Sequence, residues 1–460
     1  MTLPHSLTRC ALGGIATLCL LVPVFAASAE TLPDGFPTRR GELVFFRANV
    51  FERPTEHQAL FDWLGRFDLL VTNGHGLADE QTRKTLQSGG SKLFLYAWAN
   101  GFYVDEAERQ QQDGPWRSDL VDNHRDWLLC AEPMGSQMGP LAYYFDYSKP
   151  EMVDYFAQRL AEYRARTGYD GIFFDYSWSK ALPDEVGRLW DRLHPDLPYD
   201  RALIGFYNRL RELDPGIVIF TNQAYRAQEP LLAAADWDMT ESAATSHAWG
   251  PKIEVQDVWG PVPTAEEGQL LETFFRPWTG QWGLEGICRE IEAAIGRAAP
   301  RKGFVYLDYA RPLHSKAESG ALAESLDIEA IYYSYCAAAL WGRRTFCSGW
   351  FGWQQTPGRE YSGPLYFADL GKPLGTGPST LKGVVIREYE RGLVALMTST
   401  EPVDIAYRLC DGGEGGSWDL FASAPAEISG DYLRIRLAPS TSPLSGTERP
   451  AGRVYLKTGR

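Results

Sequence analysis

The run Gly171-Ile172-Phe173-Phe174, closed by Asp175, constrains this chain more than any other stretch. Coming after Gly168-Tyr169-Asp170, it reads as a strand buried on both faces, the kind found inside a parallel sheet or barrel. A carboxylate ends it. Packing gives no reason for an Asp at that point, whereas the C-terminal ends of barrel strands are where catalytic groups are set. The competing reading is an Asp that caps the next helix or orders a turn.

The rest of the chain repeats the same unit. From Glu42 onward, short apolar runs alternate with amphipathic stretches. Candidate strands fall at 43–50, 67–72, 92–97, 171–174, 217–221, 237–240, 303–307 and 345–351. Helical patterns lie between them, among them 152–167, with Phe156, Leu160 and Tyr163 on one face, and 328–341. Eight such units predict an α/β fold, a (β/α)8 TIM barrel with enlarged loops over residues 30–363. A doubly wound open sheet is the alternative, but no Gly-rich phosphate fingerprint follows the first strand. After Tyr366 the pattern changes to short alternating runs at 383–389, 393–397, 404–409 and 432–437, separated by Gly-, Ser- and Pro-rich turns. A small C-terminal all-β sandwich over 364–460 is expected. The segments 101–140 and 244–282 exceed ordinary connections and would sit at the rim that carries Asp175. Trp116, Trp127, Trp249, Trp259, Trp278 and Trp282 lie in or beside them, either as walls of a cleft or as hydrophobic clusters under the loops.

Arg9, the apolar stretch 11–26 and Ala27-Ser28-Ala29 have the form of a secretory signal, 1–29, cut after Ala29. A periplasmic or secreted protein without membrane insertion is expected. Five cysteines would remain (Cys130, Cys288, Cys336, Cys347, Cys410) with no CxxC pair, so neither a zinc site nor a disulfide framework is indicated. Cys336, in an apolar helical segment, and Cys347, in an apolar strand, read as buried free thiols. The net charge of −14 argues against nucleic acid, anionic membrane surfaces and polyanionic glycans. A neutral or cationic substrate fits better. The 15 Trp and 23 Tyr supply rings of the kind that stack on sugars, although most will be core. The histidines form no HxH, HExxH or Cys/His spacing and no GxSxG elbow occurs, so no metal cofactor and no esterase chemistry is expected.

If the strands are placed correctly, polar residues crowd their C-terminal ends: Arg47 and Asn49, Asn73, Trp98 and Asn100, Asp175, Asn222, Glu241 and Asp308. Tyr176 and Tyr309 follow Asp175 and Asp308 and join the expected substrate-binding set. Two carboxylates across a cleft are the minimum for cleaving a glycosidic bond, one donating a proton and the other attacking the anomeric carbon or activating water. Asp175 and Glu241 are the expected pair, the shorter Asp as nucleophile and the longer Glu as proton donor. A hydrogen-bonded structural Glu241, a turn-forming Asn222 and a barrel-rim ion pair at Arg47 are the alternatives.

The stretch Gly168-Tyr169-Asp170-Gly171-Ile172-Phe173-Phe174-Asp175, preceded by Asp146-Tyr147-Ser148-Lys149-Pro150, resembles the strand-four region of the glycoside hydrolase barrels related to family 114, the endo-α-1,4-polygalactosaminidases. In that group an Asp after strand four, an Asn after strand five and a Glu after strand six line the site, and Asp175, Asn222 and Glu241 match in type and order. Tyr366-Phe367-Ala368-Asp369-Leu370-Gly371-Lys372-Pro373 and Arg387-Glu388-Tyr389-Glu390-Arg391-Gly392-Leu393-Val394 are similar to the β-domain of a hydrolase-like family with the same barrel. Strand four departs from the pattern by ending in Asp175-Tyr176-Ser177-Trp178. The resemblance implies a hydrolase of a polysaccharide, with an α-linked amino-sugar exopolysaccharide as one substrate. A non-catalytic glycan-binding protein on a hydrolase-like barrel and a transglycosylase are the competing readings.

Overall fold

The computed structural model describes residues 32–458, except 34, 47–57, 73–79, 109–114, 137–139, 229, 248–255, 258–259, 262–269, 272, 281–282, 299–302, 311–313, 316–326, 349–363, 411–416, 422–425 and 443–445. Eight parallel strands form one sheet in chain order: β1 (Gly41–Phe46), β2 (Phe67–Thr72), β3 (Lys92–Trp98), β4 (Gly171–Asp175), β5 (Val218–Asn222), β6 (Trp237–Glu241), β7 (Gly303–Tyr309) and β8 (Arg344–Ser348). Arg344 on β8 reaches back to the first strand, donating to Glu42 at 2.7 Å and to the Arg40 carbonyl. The sheet therefore curls into a TIM barrel.

Strand parity fills its interior. Side chains alternate between the barrel lumen and the helix layer, so Phe45, Phe94, Phe173 and Phe220 meet inside, with ring centroids 5.0–5.5 Å apart for Phe45 on Phe173, Phe173 on Phe220 and Phe94 on Phe220. Phe174, of the opposite parity, packs outward on Phe206 and Tyr207 of the helix Tyr199–Leu213. The helix Pro150–Thr167 begins with Pro at its first turn and buries Met152, Phe156, Ala157, Leu160 and Tyr163. Gly168 ends it in the left-handed conformation, φ 69°, where a side chain is disfavoured.

Beyond Pro364 the strands are antiparallel. Those of the two larger sheets are β9 (Ser379–Leu381), β10 (Val384–Tyr389), β11 (Gly392–Met397), β12 (Val403–Arg408), β13 (Ser417–Leu420), β14 (Ile428–Ser429), β15 (Tyr432–Leu437) and β16 (Gly452–Thr458), arranged as a five-stranded sheet β9-β10-β11-β16-β13 and a three-stranded sheet β12-β15-β14. One face of β10 and β11 (Val384, Ile386, Leu393, Ala395, Met397) packs on Leu433, Ile435 and Leu437 of the smaller sheet. The other face (Val385, Val394, Leu396) joins the barrel core. Between barrel and sheet lies the helix Ile328–Leu340, buried from Ala330 to Leu340, which explains why it is apolar all round. Cys336 on it is a free, buried thiol, as expected, whereas the side chain of Cys347 lies outside the described residues.

The long connections carry structure of their own. Residues 101–103, 134–135 and 141–144 pair into a three-stranded antiparallel sheet on the barrel rim. Trp116 and Trp278 are both buried, Trp116 against Phe102, Phe145 and Phe156. Trp127 stacks on His124 at 3.8 Å. Trp249, Trp259 and Trp282 lie outside the described residues.

Candidate active site

The C-terminal ends of β3 to β7 bring five polar side chains into one hydrogen-bonded line, Tyr96–Asp175–Asn222–Glu241–Tyr309. Register decides which. On β3 and β4, Trp98 lies opposite Asp175, and on β6 and β7 Glu241 lies opposite Leu307, two residues short of Tyr309. The Asn222 amide nitrogen donates to Asp175 Oδ1 at 2.9 Å and to Glu241 Oε2 at 2.8 Å. One side chain thus bridges both carboxylates. Tyr96 donates its phenol to Asp175 Oδ2 at 2.5 Å, and Tyr309 donates its own to Glu241 Oε1. The backbone N–H of Tyr176 donates to Asp175 Oδ1 at 2.8 Å.

The electrostatics follow from this enclosure. Burial pushes the Asp175 carboxyl above its ordinary range, and the donors Tyr96, Asn222 and Tyr176 N–H pull it back toward the ionised form. Burial first, and then the facing carboxylate, push the phenols of Tyr96 and Tyr309 well above their usual value, so both remain protonated donors. As residues, Asp175 and Glu241 are half-buried, unlike Asp308 and Asp238, which are fully buried.

A shared backbone device presents these groups. Among the described residues four non-glycines have positive φ, and three of them directly follow the site residues: Tyr176 (52°) after Asp175, Gln223 (65°) after Asn222, and Ser242 (60°) after Glu241. A left-handed residue turns the chain sharply at the strand end and leaves the preceding side chain on the rim. Such conformations are costly for a residue as bulky as Tyr, and they cluster at functional sites.

The expected residues divide. Asp175, Asn222, Glu241 and Tyr309 are joined in that order by hydrogen bonds. Trp98 joins this line through Tyr96, to whose Oη its indole N–H donates at 3.1 Å, and its ring makes T-shaped contacts with Tyr103 and Tyr176 at centroid distances of 4.1 and 4.8 Å. Asn100 is buried, its Oδ1 has no partner, and it bonds neither carboxylate. Asp308 is a correction. It is fully buried and accepts from Ala244 N–H, Thr245 N–H and the Ser334 hydroxyl, so it orders the segment after β6 and does not face a substrate. Its neighbour Tyr309 takes the inward parity, and two consecutive strand residues cannot both face the lumen. Arg47 and Asn73 lie outside the described residues. Tyr96 was missing from the expected set although it shares a face with Trp98, two residues on. Asp238 was missing too. Fully buried on the outward parity of β6, it accepts from Thr221 Oγ1 and from the N–H groups of Ala224 and Tyr225, and so shapes the turn after Asn222. Among the described residues no group of three or more His, Cys, Asp or Glu side chains is arranged to hold a metal ion, and no helix is long and apolar enough to cross a membrane.

No protein-family model matches this sequence, and no curated protein does. Among solved structures, the glycoside hydrolase domain of PelA from Pseudomonas aeruginosa is similar at 18% identity and a TM-score of 0.43, over 70% of this chain and 97% of that one. The noncanonic maltogenic α-amylase AmyB from Thermotoga neapolitana is similar at 11% identity and a TM-score of 0.48, over 91% and 98%. An α-amylase from Geobacillus thermoleovorans is similar at 12% identity and 0.45, over 92% and 98%. The barrel assignment rests on this chain's own strand pairing.

Proposed function

We propose that this protein is an exported glycoside hydrolase that cleaves a polysaccharide by a retaining mechanism through Asp175 and Glu241. The observation that carries the reading is the bridge by Asn222. Because one nitrogen binds an oxygen of each carboxylate at 2.9 and 2.8 Å, those oxygens are no farther apart than the two bonds laid end to end. That distance suits a retaining pair, about 5–5.5 Å apart, and falls short of the roughly 6.5–9.5 Å that an inverting pair needs to hold a water.

Asp175, held by three donors, is the nucleophile: it attacks the anomeric carbon while the glycosidic C–O bond breaks and Glu241 gives its proton to the leaving oxygen. Glu241 then takes a proton from water, which attacks the same carbon and frees Asp175. The substrate side of the proposal is an α-linked amino-sugar exopolysaccharide. It is supported by the resemblance of the strand-four region and by a net charge of −14, which favours a cationic chain over an anionic one. Export rests on the leader-like residues 1–29.

The test is a panel of exopolysaccharides, including galactosamine and glucosamine polymers, assayed for new reducing ends. Wild-type protein should release them, and Glu241→Gln should lose about 10²–10⁴ in turnover with an unchanged circular dichroism spectrum. Asp175→Asn should lose at least as much. Binding without release would point instead to a glycan-binding protein, and full activity in either variant would remove the assignment.

A further inference from the structure

Trp98 and Tyr96 share the lumen-facing side of β3, and a line of hydrogen bonds runs from one through the other to the carboxylate: Trp98 Nε1–H to Tyr96 Oη at 3.1 Å, then Tyr96 O–H to Asp175 Oδ2 at 2.5 Å. One lone pair of the phenol accepts from the indole and its proton is donated to Asp175, so the hydroxyl is held from both sides. A donor that is itself a hydrogen-bond acceptor is polarised and donates more strongly. We infer that Tyr96 is a positioning residue which holds Asp175 in place as the ionised nucleophile, and that Trp98 serves the reaction through Tyr96 in addition to any contact its ring makes with a sugar.

The geometry separates these two roles of Trp98. Its ring packs edge-on with Tyr103 and Tyr176, whereas its N–H is spent inside the protein. A residue that only stacked on substrate would have no need of that bond. The titratable groups facing Asp175 are Tyr96 from β3, Tyr103 from the rim sheet, Tyr176 from its own strand end, Glu241 through Asn222 from β6, and Tyr309 from β7. Of these, Tyr96 alone among the described side chains bonds Asp175 Oδ2 directly.

The inference rests on the hydrolase reading for its kinetic test, so a second measurement is independent of activity. In kinetics, Tyr96→Phe should move the acid limb of kcat/KM up by about one to two pH units, the worth of a hydrogen bond to a charged group, with KM little changed. Trp98→Phe, which keeps a ring and removes the N–H, should move it the same way by less. In the second measurement, protein labelled with ¹³C at the Asp carboxyl is titrated by NMR, with Asp175→Asn identifying the signal. The Asp175 signal should titrate at higher pH in Tyr96→Phe than in wild type, whether or not any polymer is hydrolysed. An unmoved Asp175 titration in a folded Tyr96→Phe protein would overturn the inference even if the wild type proves to be a hydrolase. A Trp98→Phe protein whose KM rises while its acid limb stays put would overturn the part concerning Trp98.

Discussion

Asn222 is the residue on which the two carboxylates depend together, because its amide group spends both hydrogens on them. Replacing it with Ala would leave the two carboxyl groups facing each other with no amide between them. The pair should then titrate as a coupled unit with its upper step raised, and turnover at neutral pH should fall by about 10²-fold or more, read from pH–rate profiles. Asp238 offers a pH effect separate from the site. Burial raises its carboxyl from 3.8 to about 7, so the folded chain holds that proton more tightly than the unfolded chain. The stabilisation is complete below about pH 4 and is lost as the pH rises to about 7, for an effect on the order of 4 kcal/mol. Urea unfolding across that range should show the decline, and Asp238→Asn should flatten it whatever happens to absolute stability. The site was legible wherever a side chain ends a strand: Asp175, Asn222 and Glu241 each do. Tyr96 and Asp308 were misjudged for one physical reason. Lying near a strand end is not enough, since parity admits Tyr96 to the lumen and turns Asp308 toward the Ser334 hydroxyl.

At the scale of the element, the barrel strands were readable chiefly from their apolar runs, because a strand buried on both faces carries few polar side chains to confuse the pattern. The rim was not. The described residues between 101 and 144 fold into short helices and a small sheet whose strands are only two to four residues long, too brief for any period to emerge. The left-handed residues after β4, β5 and β6 were hidden as well, since Tyr, Gln and Ser carry none of the signal that Gly would give. That choice has a measurable consequence. At Ser242, φ 60°, a change to Gly should be neutral or stabilising by up to about 1 kcal/mol, whereas Val, branched at Cβ, should cost about 1–3 kcal/mol. Because Glu241 precedes it, the Val variant should also lose activity out of proportion to its lost stability. Equal stability of the two variants in chemical denaturation would mean that no strain is stored there.

In the whole molecule, barrel and C-terminal sheet share a single helix, Ile328–Leu340, and the chain builds the junction for close approach. The Ala337-Ala338-Ala339 segment keeps the helix thin, and Gly452 on β16 lies so near that a Cβ would sit 2.7 Å from the Tyr332 carbonyl oxygen. Tyr389 of β10 donates its phenol to the Ala339 carbonyl. At the start of the helix the same junction is tied electrostatically. Asp327 caps the helix by accepting from Ala330 N–H and also accepts from both terminal nitrogens of Arg449, whose guanidinium lies over Phe275 at 4.4 Å. Both partners are buried, with 3% and 7% of their side-chain surface exposed. Such a pair adds little net stability when intact, because desolvation offsets attraction, but removing one member strands the other charge away from water. Asp327→Ala should therefore cost about 3–5 kcal/mol, while Asp327→Asn, which keeps an acceptor for the cap and for Arg449, should cost less. Since the helix belongs to both cores, the loss should lower one common unfolding transition, followed together by far-UV circular dichroism and Trp fluorescence in guanidinium. Two separated transitions, with the barrel unmoved by Asp327→Ala, would mean that the sheet is an independent passenger and not part of what stabilises the barrel core.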